Sequence, residues 1–346
     1  MFSDDTAPLN KYVILPKVEL HRHLEGSLRL ATMLDIAKKH GVTVPVSMLN
    51  LSGLVQVQDQ DPMTFTNFLE KFKTLRLFYK SPDVIHRVSA EAVEDAAKDN
   101  VRYLELRFTP VALSRAEGFP LHDVMDWVIT SAQEAAKKHK IKVSLIASVN
   151  RHESPDLAEQ VAWLAVDHMK HGLMGLDLAG NEAEFPSSPF YGIFKEARES
   201  GLRVTIHAGE WGPASNVREA IENLGAERIG HGVRVLEDDE VVSLAKERGT
   251  VFEVCVTSNF QSGVVNSVES HPLPKMLEKG LRVTINTDDP SISRITLANE
   301  YQVVCDKLNI KIDDLKKSVL MAAESAFLSD ADKTQLTNSL KKELKL

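Results

Sequence analysis

The sequence predicts an α/β fold, a closed (β/α)8 barrel of the TIM type, from two recurring features. Short apolar runs recur along the 346 residues, as expected for parallel strands that are buried on both faces. Between them lie longer, charged segments with helical spacing, and this alternation is typical of a barrel. The runs are Val18–His23, Val101–Phe108, Lys142–Val149, Gly175–Ala179, Arg203–His207, Arg228–Gly232, Val251–Thr257 and Arg282–Thr287. An open doubly wound sheet is the alternative that this pattern leaves.

The connecting segments carry apolar residues at three-to-four spacing, which predicts amphipathic helices. The clearest of these helices are Leu121–Lys138, Asp156–Lys170, Phe190–Ser200, Ser215–Leu224 and Asp239–Arg248. A glycine precedes several of the next strands, which suits the turn from a helix into a strand. We expect residues 1–346 to form one domain.

The segment from Leu24 to Asn100 interrupts the alternation of strands and helices, and its sequence predicts mostly helix. In a barrel it is an enlarged first loop at the catalytic face, where long loops commonly form lids or pocket walls. Within it, Phe65–Phe78 has aromatic and leucine residues at helical spacing. These residues are expected to dock on the barrel, and part of their apolar face is expected to line a substrate pocket. From Asp313 onward the sequence predicts two extra C-terminal helices.

Composition excludes several classes of function. A net charge of -8 provides no basic surface for nucleic acid. The N-terminal segment MFSDDTAPLNKY lacks the features of a signal peptide, and no apolar run is long enough for a membrane span. Two cysteines are too few for a disulfide framework. We therefore expect a cytoplasmic protein with a small-molecule partner; the oligomeric state is left open.

The first strand ends in a pair of histidines, His21 and His23. Because they are two residues apart, both side chains point to the same face of the strand. At the end of a barrel strand that face is the mouth of the barrel, where two neutral imidazoles can bind one zinc ion.

Other predicted strands end in residues of the same kind. His207 ends the fifth, His231 follows the sixth, and Asp288 and Asp289 follow the eighth. Barrel enzymes gather their catalytic groups at this end of the strands. Three histidines and one aspartate can hold zinc and leave room for water. The fourth strand reads GLDLAG and has no lysine to bridge two metals, so a mononuclear site is expected.

Two further residues are candidates for proton transfer. His231 is suited to orient and deprotonate a water molecule that the metal has acidified. Glu210 lies three residues beyond His207, and Gly209 before it allows a tight turn that aims the carboxyl inward. A carboxyl near the metal but not bound to it could stay protonated and donate to a ring nitrogen.

Short blocks along residues 12–330 together resemble the adenosine deaminase family of metal-dependent amidohydrolases. The blocks are LPKVELHRHLEG, YLELRFTP, LDLAGNE, IHAGE, RIGHG, CVTSN, HPL and INTDDP. The resemblance implies one zinc ion per chain, with the ligands His21, His23, His207 and Asp288. It implies a hydrolytic enzyme of purine metabolism that converts adenosine or 2′-deoxyadenosine to the inosine product and ammonia.

By the same resemblance, Glu210 would protonate purine N1 while a hydroxide generated at the zinc attacks C6. His231 would position that hydroxide, and Asp289 would hydrogen-bond N7 and help to align the water. Gly180 would offer its backbone N–H to N3, and Glu25 would face the ribose 5′-hydroxyl. The substrate-binding residues implied are His23, Glu25, Gly180 and Asp289.

The choice of substrate stays open at this point. Nucleoside deaminases of the family often have aspartate where this chain has Glu25, whereas relatives that act on free adenine often have glutamate. The blocks CVTSN and TDDPSIS resemble the nucleoside branch instead. Adenine and other 6-substituted purines, such as methylthioadenosine or N6-methylated nucleotides, are the alternatives. A catalytically silent signalling protein and a barrel hydrolase of amides or esters fit the sequence less well, since all ligands are present and the strand-four lysine is absent.

Overall fold

The computed structural model describes residues 11–44 and 47–346, and within these ranges eight parallel strands form one sheet in sequence order. They are β1 (Lys17–His23), β2 (Val101–Phe108), β3 (Lys142–Asn150), β4 (Leu173–Ala179), β5 (Arg203–Ala208), β6 (Arg228–His231), β7 (Val251–Val254) and β8 (Arg282–Ile285). After β8 the chain meets β1 again through a parallel bridge between Arg22 and Asp288. The prediction of a barrel is confirmed, and the alternative fold, an open doubly wound sheet, is excluded.

Helices connect the strands and cover the barrel. They are α1 (Lys11–Ile14), α2 (Leu30–His40), α3 (Met48–Val55), α4 (Phe65–Leu75), α5 (Pro82–Lys98), α6 (Pro110–Glu117), α7 (Leu121–His139), α8 (Pro155–Asp167), α9 (Tyr191–Glu199), α10 (Ala214–Glu222), α11 (Asp239–Arg248), α12 (Val256–Gln261), α13 (Leu273–Glu278), α14 (Pro290–Ser293), α15 (Leu297–Lys307), α16 (Ile312–Glu324) and α17 (Asp330–Leu344). Short 3-10 turns lie at Arg76–Phe78, Met169–His171, Ser188–Phe190, Val233–Glu237 and Val268–Ser270. In the part of the chain that is described, no helix is both long and apolar enough to cross a bilayer. Residues 1–10, which make up most of the N-terminal segment MFSDDTAPLNKY, lie outside the described residues.

Local sequence explains where several helices begin. Ser81 and Ser154 each precede a proline, and their hydroxyl oxygens accept hydrogen bonds from backbone N–H groups of the first turns of α5 and α8. Serine is favoured at this capping position, and proline is tolerated at the first helical residue because its missing N–H would have no partner there.

The last two strands are shorter than predicted. We expected β7 to reach Thr257, but it ends at Val254, and α12 begins at Val256. The backbone N–H of Thr257 donates instead to the buried carboxylate of Glu300, at 2.8 Å. The predicted end of β7 was wrong because the apolar run continues into a helix. The first backbone N–H groups of that helix find a partner in a carboxylate that is distant in sequence, and the run itself gives no sign of it. In the same way β8 ends at Ile285 instead of Thr287, whose N–H donates to Glu19.

The enlarged first loop is helical, as predicted, and contains α2 to α5. Within it, the amphipathic segment Phe65–Phe78 forms α4 and the following 3-10 turn. Phe68, Leu75 and Phe78 are buried in the core. The two terminal helices, α16 and α17, are also as predicted.

Charged residues fill part of the barrel interior directly beneath its carboxyl end. Arg107 Nη2 lies 2.7 Å from Glu253 Oε2, and Arg228 Nε lies 2.6 Å from Glu253 Oε1. Arg107 also faces Asp177, at 3.4 Å. All four side chains are buried, and such charges are tolerated in an interior only when they are paired. The barrel therefore holds two carboxylates in fixed positions below its mouth.

Candidate active site

Four predicted ligands meet at the mouth of the barrel. His21 and His23 on β1, His207 on β5 and Asp288 after β8 each offer one ligand atom, and these atoms all lie within 4.8 Å of one another. The Nε2 atoms of His21 and His23 lie 3.2 Å and 3.3 Å from Asp288 Oδ1. Residues from the two ends of the sequence become neighbours because β8 returns to β1.

Two of the buried carboxylates lie behind these histidines. Glu253 Oε2 is 2.8 Å from His21 Nδ1, and Asp177 Oδ1 is 2.9 Å from His207 Nδ1. A carboxylate at Nδ1 holds the proton there, so the lone pair of the neutral ring lies on Nε2 and is available to a metal. His21 Nε2 is buried and has no hydrogen-bond partner among the described residues. This set of imidazole nitrogens and carboxylate oxygen fits a zinc ion.

The backbone turns sharply at two of the site residues. His231 has φ 60 and Asp288 has φ 63, which is the left-handed region that residues with a side chain rarely adopt. Such strain persists where surrounding contacts enforce it, often at functional sites. Here Ser258 Oγ donates to Asp288 Oδ2 at 2.6 Å and helps to fix that carboxylate.

The turn after β5 is shaped by Glu182, whose carboxylate accepts three consecutive backbone N–H groups. They belong to Gly209, Glu210 and Trp211, at 2.9, 2.7 and 2.9 Å. Gly209 has φ 68, and a β carbon on it would lie 2.5 Å from Val217. Glycine is therefore required at this turn, which directs the Glu210 side chain inward.

The Glu210 carboxyl is buried and lies beside the ligand cluster. Its Oε2 atom is 3.6 Å from His231 Nε2. Burial, and after it the negative charge of Asp288, raise the pKa of Glu210 well above its ordinary value. A carboxyl that keeps its proton can act as a donor to a substrate atom.

A cavity of about 330 Å³ opens above the cluster, which is within the size range of small-molecule sites. Its wall includes the predicted residues His23, Glu25, Gly180, His207, Glu210, His231, Asp288 and Asp289. His21 lies beneath it and has no exposed surface. The fold thus brings together every residue that the sequence singled out.

Two cavity residues, Glu25 and Asp289, each have a buried carboxylate oxygen that no described residue contacts by a hydrogen bond. Glu25 Oε1 accepts the backbone N–H of Thr109 at 2.6 Å, whereas its buried Oε2 has no partner among the described residues. Buried Asp289 Oδ1 also lacks a partner in the described chain, and burial, with the charge of Asp288, raises the pKa of this group. Gly180 adopts φ 94 at the cavity edge.

An apolar wall covers one side of the cavity. Phe68, Leu69 and Phe72 of α4 line it, so the apolar face of this segment forms a cavity wall as expected; the role of this wall in binding substrate stays a prediction. Phe65 meets Trp211 edge to face, with ring centroids 4.3 Å apart. The first loop and the turn after β5 therefore meet at the rim.

Sequence reasoning missed the residues that support the site. Asp177, Glu182 and Glu253 hold ligands or the Glu210 turn, and none was singled out. A usable signal existed for two of them, because Asp177 and Glu253 are charged residues inside otherwise apolar strands. Such residues are seldom buried without a specific partner.

A (β/α)8 barrel with three imidazoles and a carboxylate around one point at its mouth is typical of a hydrolase of the amidohydrolase class. The family model for adenosine deaminase matches residues 16–343. An adenosine deaminase of Clostridium perfringens strain SM101 is 39% identical over 326 residues, covering 94% of this chain and 98% of that protein. The chain therefore belongs to the adenosine deaminase family.

Solved structures agree with this assignment. Adenine deaminase from Arthrobacter aurescens superposes with a TM-score of 0.88 at 28% identity, over 96% of this chain and 100% of the other. An amidohydrolase from Burkholderia ambifaria with bound zinc gives a TM-score of 0.88 at 26% identity, over 99% and 95%.

Proposed function

We propose that this protein catalyses the hydrolytic deamination of adenosine and 2′-deoxyadenosine, releasing ammonia and the inosine product. One zinc ion would be held by His21, His23, His207 and Asp288. Bound there, zinc would acidify water and so supply a nucleophile at neutral pH. The observation that carries the proposal is a buried carboxyl, Glu210, beside this ligand set and in the wall of the same cavity.

The chain's own residues supply the proton transfers. Glu210 is suited to give its proton to N1, which makes C6 of the ring more open to addition of water. His231 lies between Glu210 and Asp288, at 3.6 Å and 3.9 Å, and can orient the incoming water. Asp289 Oδ1 is buried in the cavity wall without a hydrogen-bond partner among the described residues, and is suited to a purine hydrogen bond. After water has added to C6, a proton that this water gives up is transferred to the amino nitrogen, and cleavage of the C6–N bond then releases ammonia.

The surroundings of Glu25 support a nucleoside as substrate. One carboxylate oxygen is held by Thr109 N, and the other is free to accept from a ribose hydroxyl. A free base would leave this buried oxygen without a partner, at a cost of about 1–3 kcal/mol. The similarity to an adenosine deaminase at 39% identity points the same way, whereas the adenine deaminase is 28% identical.

The test is a spectrophotometric assay of zinc-loaded protein on adenosine, 2′-deoxyadenosine and adenine in parallel, with the metal content measured in the same samples. We expect turnover of both nucleosides and little of adenine. Turnover of adenine alone would refute the nucleoside assignment and leave the zinc site intact.

A Glu210→Gln variant separates chemistry from binding. Because glutamine cannot deliver the proton, we expect kcat to fall by about 10²–10⁴-fold while one zinc per chain is retained. Near-normal turnover in this variant would show that Glu210 is not the proton donor.

We also infer that the chain works in the cytoplasm as one domain. Cys255 and Cys305 are free thiols, which suits a reducing compartment. Fractionation of the native host and limited proteolysis of the purified protein test these two statements.

A further inference from the structure

In the two family-like blocks CVTSN and HPL, one residue each has no role in the chemistry above. These residues are buried beneath His231: Asn259 on α12 and His271 just before α13. Asn259 has no exposed surface, and His271 is 3% exposed. Polar side chains that are buried to this extent are nearly always hydrogen-bonded.

These side chains form one continuous chain of hydrogen bonds that ends at the catalytic cluster. The backbone N–H of Leu273 lies 3.0 Å from His271 Nδ1. His271 Nε2 lies 3.2 Å from Asn259 Oδ1, and Asn259 Nδ2 lies 3.1 Å from His231 Nδ1.

The direction of every bond follows from the first one. A backbone N–H can only donate, so His271 Nδ1 must accept. Burial lowers the pKa of His271 to about 3, so its ring is neutral and carries its single proton on Nε2. That N–H donates to Asn259 Oδ1, which places the amide NH2 group toward His231. His231 Nδ1 is then an acceptor.

We propose that Asn259 and His271 are positioning residues that hold neutral His231 as the tautomer with its proton on Nε2. This inference rests on the proposed function for its catalytic consequence. In this tautomer Nε2 presents an N–H to the cavity, toward the oxygens of Glu210 and Asp288 at 3.6 Å and 3.9 Å. His231 therefore orients the attacking oxygen by donating a hydrogen bond to it, and does not remove its proton through Nε2.

The tautomer is measurable without turnover. In zinc-loaded protein labelled with 15N-histidine, we expect His231 Nδ1 to have the shift of an unprotonated nitrogen and Nε2 that of a protonated one. A His231→Gln sample assigns the signals. A protonated Nδ1 in the wild-type protein would overturn the proposal, whatever the substrate proves to be.

Asn259→Asp tests the catalytic consequence with almost no change in shape. The carboxylate replaces the NH2 donor by an acceptor, so His231 must move its proton to Nδ1. We expect kcat to fall by about 10²-fold or more, with KM and zinc content close to wild type and the 15N pattern of His231 inverted. A kcat within about threefold of wild type would overturn the proposal.

A pair of variants at His271 excludes a purely structural role. His271→Gln keeps an N–H that can donate to Asn259 Oδ1, whereas His271→Leu removes it and leaves the amide free to rotate. We expect near wild-type kcat for His271→Gln and a clear loss for His271→Leu at similar thermal stability. Equal kcat values for the two variants would contradict the relay.

Discussion

Replacing Gly26 by alanine should damage the active site although no catalytic side chain is replaced. A β carbon on Gly26 would lie 1.8 Å from Asp289 Oδ1 and 2.5 Å from Asp289 Cβ. Gly26 does not have a positive φ, so alanine meets no backbone penalty there and the effect is purely steric. Relief to an ordinary carbon contact requires a shift of Asp289 by more than about 1 Å, and a misplacement of that size at a reacting site costs about 10²-fold.

The assay is kcat/KM for adenosine, together with zinc content and melting temperature. We expect kcat/KM to fall by about 10²-fold in Gly26→Ala, with zinc retained because the four ligands do not change. Gly26 O also accepts the N–H of Ser291 at 2.8 Å, so this part of the loop has little freedom to move away.

Gly192→Ala is the matched control. Gly192 lies in α9, and its added β carbon would meet nothing within 4 Å. We expect unchanged activity and a gain in stability of up to about 1 kcal/mol, because alanine favours a helix more than glycine does. If Gly26→Ala were as active as this control, Asp289 would not need its observed position.

Two further predictions concern the supporting residues. Asp177→Asn removes the carboxylate that accepts a hydrogen bond from His207 Nδ1 at 2.9 Å. We expect the zinc affinity, measured by competition with a chelator, to fall about 10–100-fold. An unchanged zinc affinity would show that this hydrogen bond does not orient the His207 ligand. His271 is held neutral by burial, with a pKa of about 3, so the unfolded chain takes up a proton below about pH 6.5 that the folded chain does not. The free energy of unfolding should therefore decrease as pH falls below about 6.5, by up to about 2 kcal/mol from this group at about pH 5. His271→Gln should lose less stability over that interval in denaturant titrations, and an identical pH dependence would contradict this reasoning.

The barrel and the residues at its mouth follow from patterns in the amino-acid sequence. Buried parallel strands leave near-continuous apolar runs, and the barrel gathers the residues at their carboxyl ends. For that reason His21, His207 and Asp288 could be grouped from their positions in the sequence. The ends of the two shortened strands could not be predicted from such patterns. The apolar run through Thr257 does not indicate that the Glu300 carboxylate accepts a backbone N–H there and so stabilises the first turn of a helix.

The partners of the groups that support the site, and the protonation states in which these groups are held, are decided by the folded arrangement. Glu253 on β7 lies behind His21 on β1 only because the barrel closes, and Asp177 lies behind His207 because β4 pairs with β5. Gly26 is required only because β8 returns to β1 and sets Asp289 against it. Likewise, the proton of His231 depends on a backbone N–H at Leu273, two hydrogen-bonded side chains away. Hydrogen-bond direction and steric contact are properties of neighbours in space, and a one-dimensional pattern does not contain them.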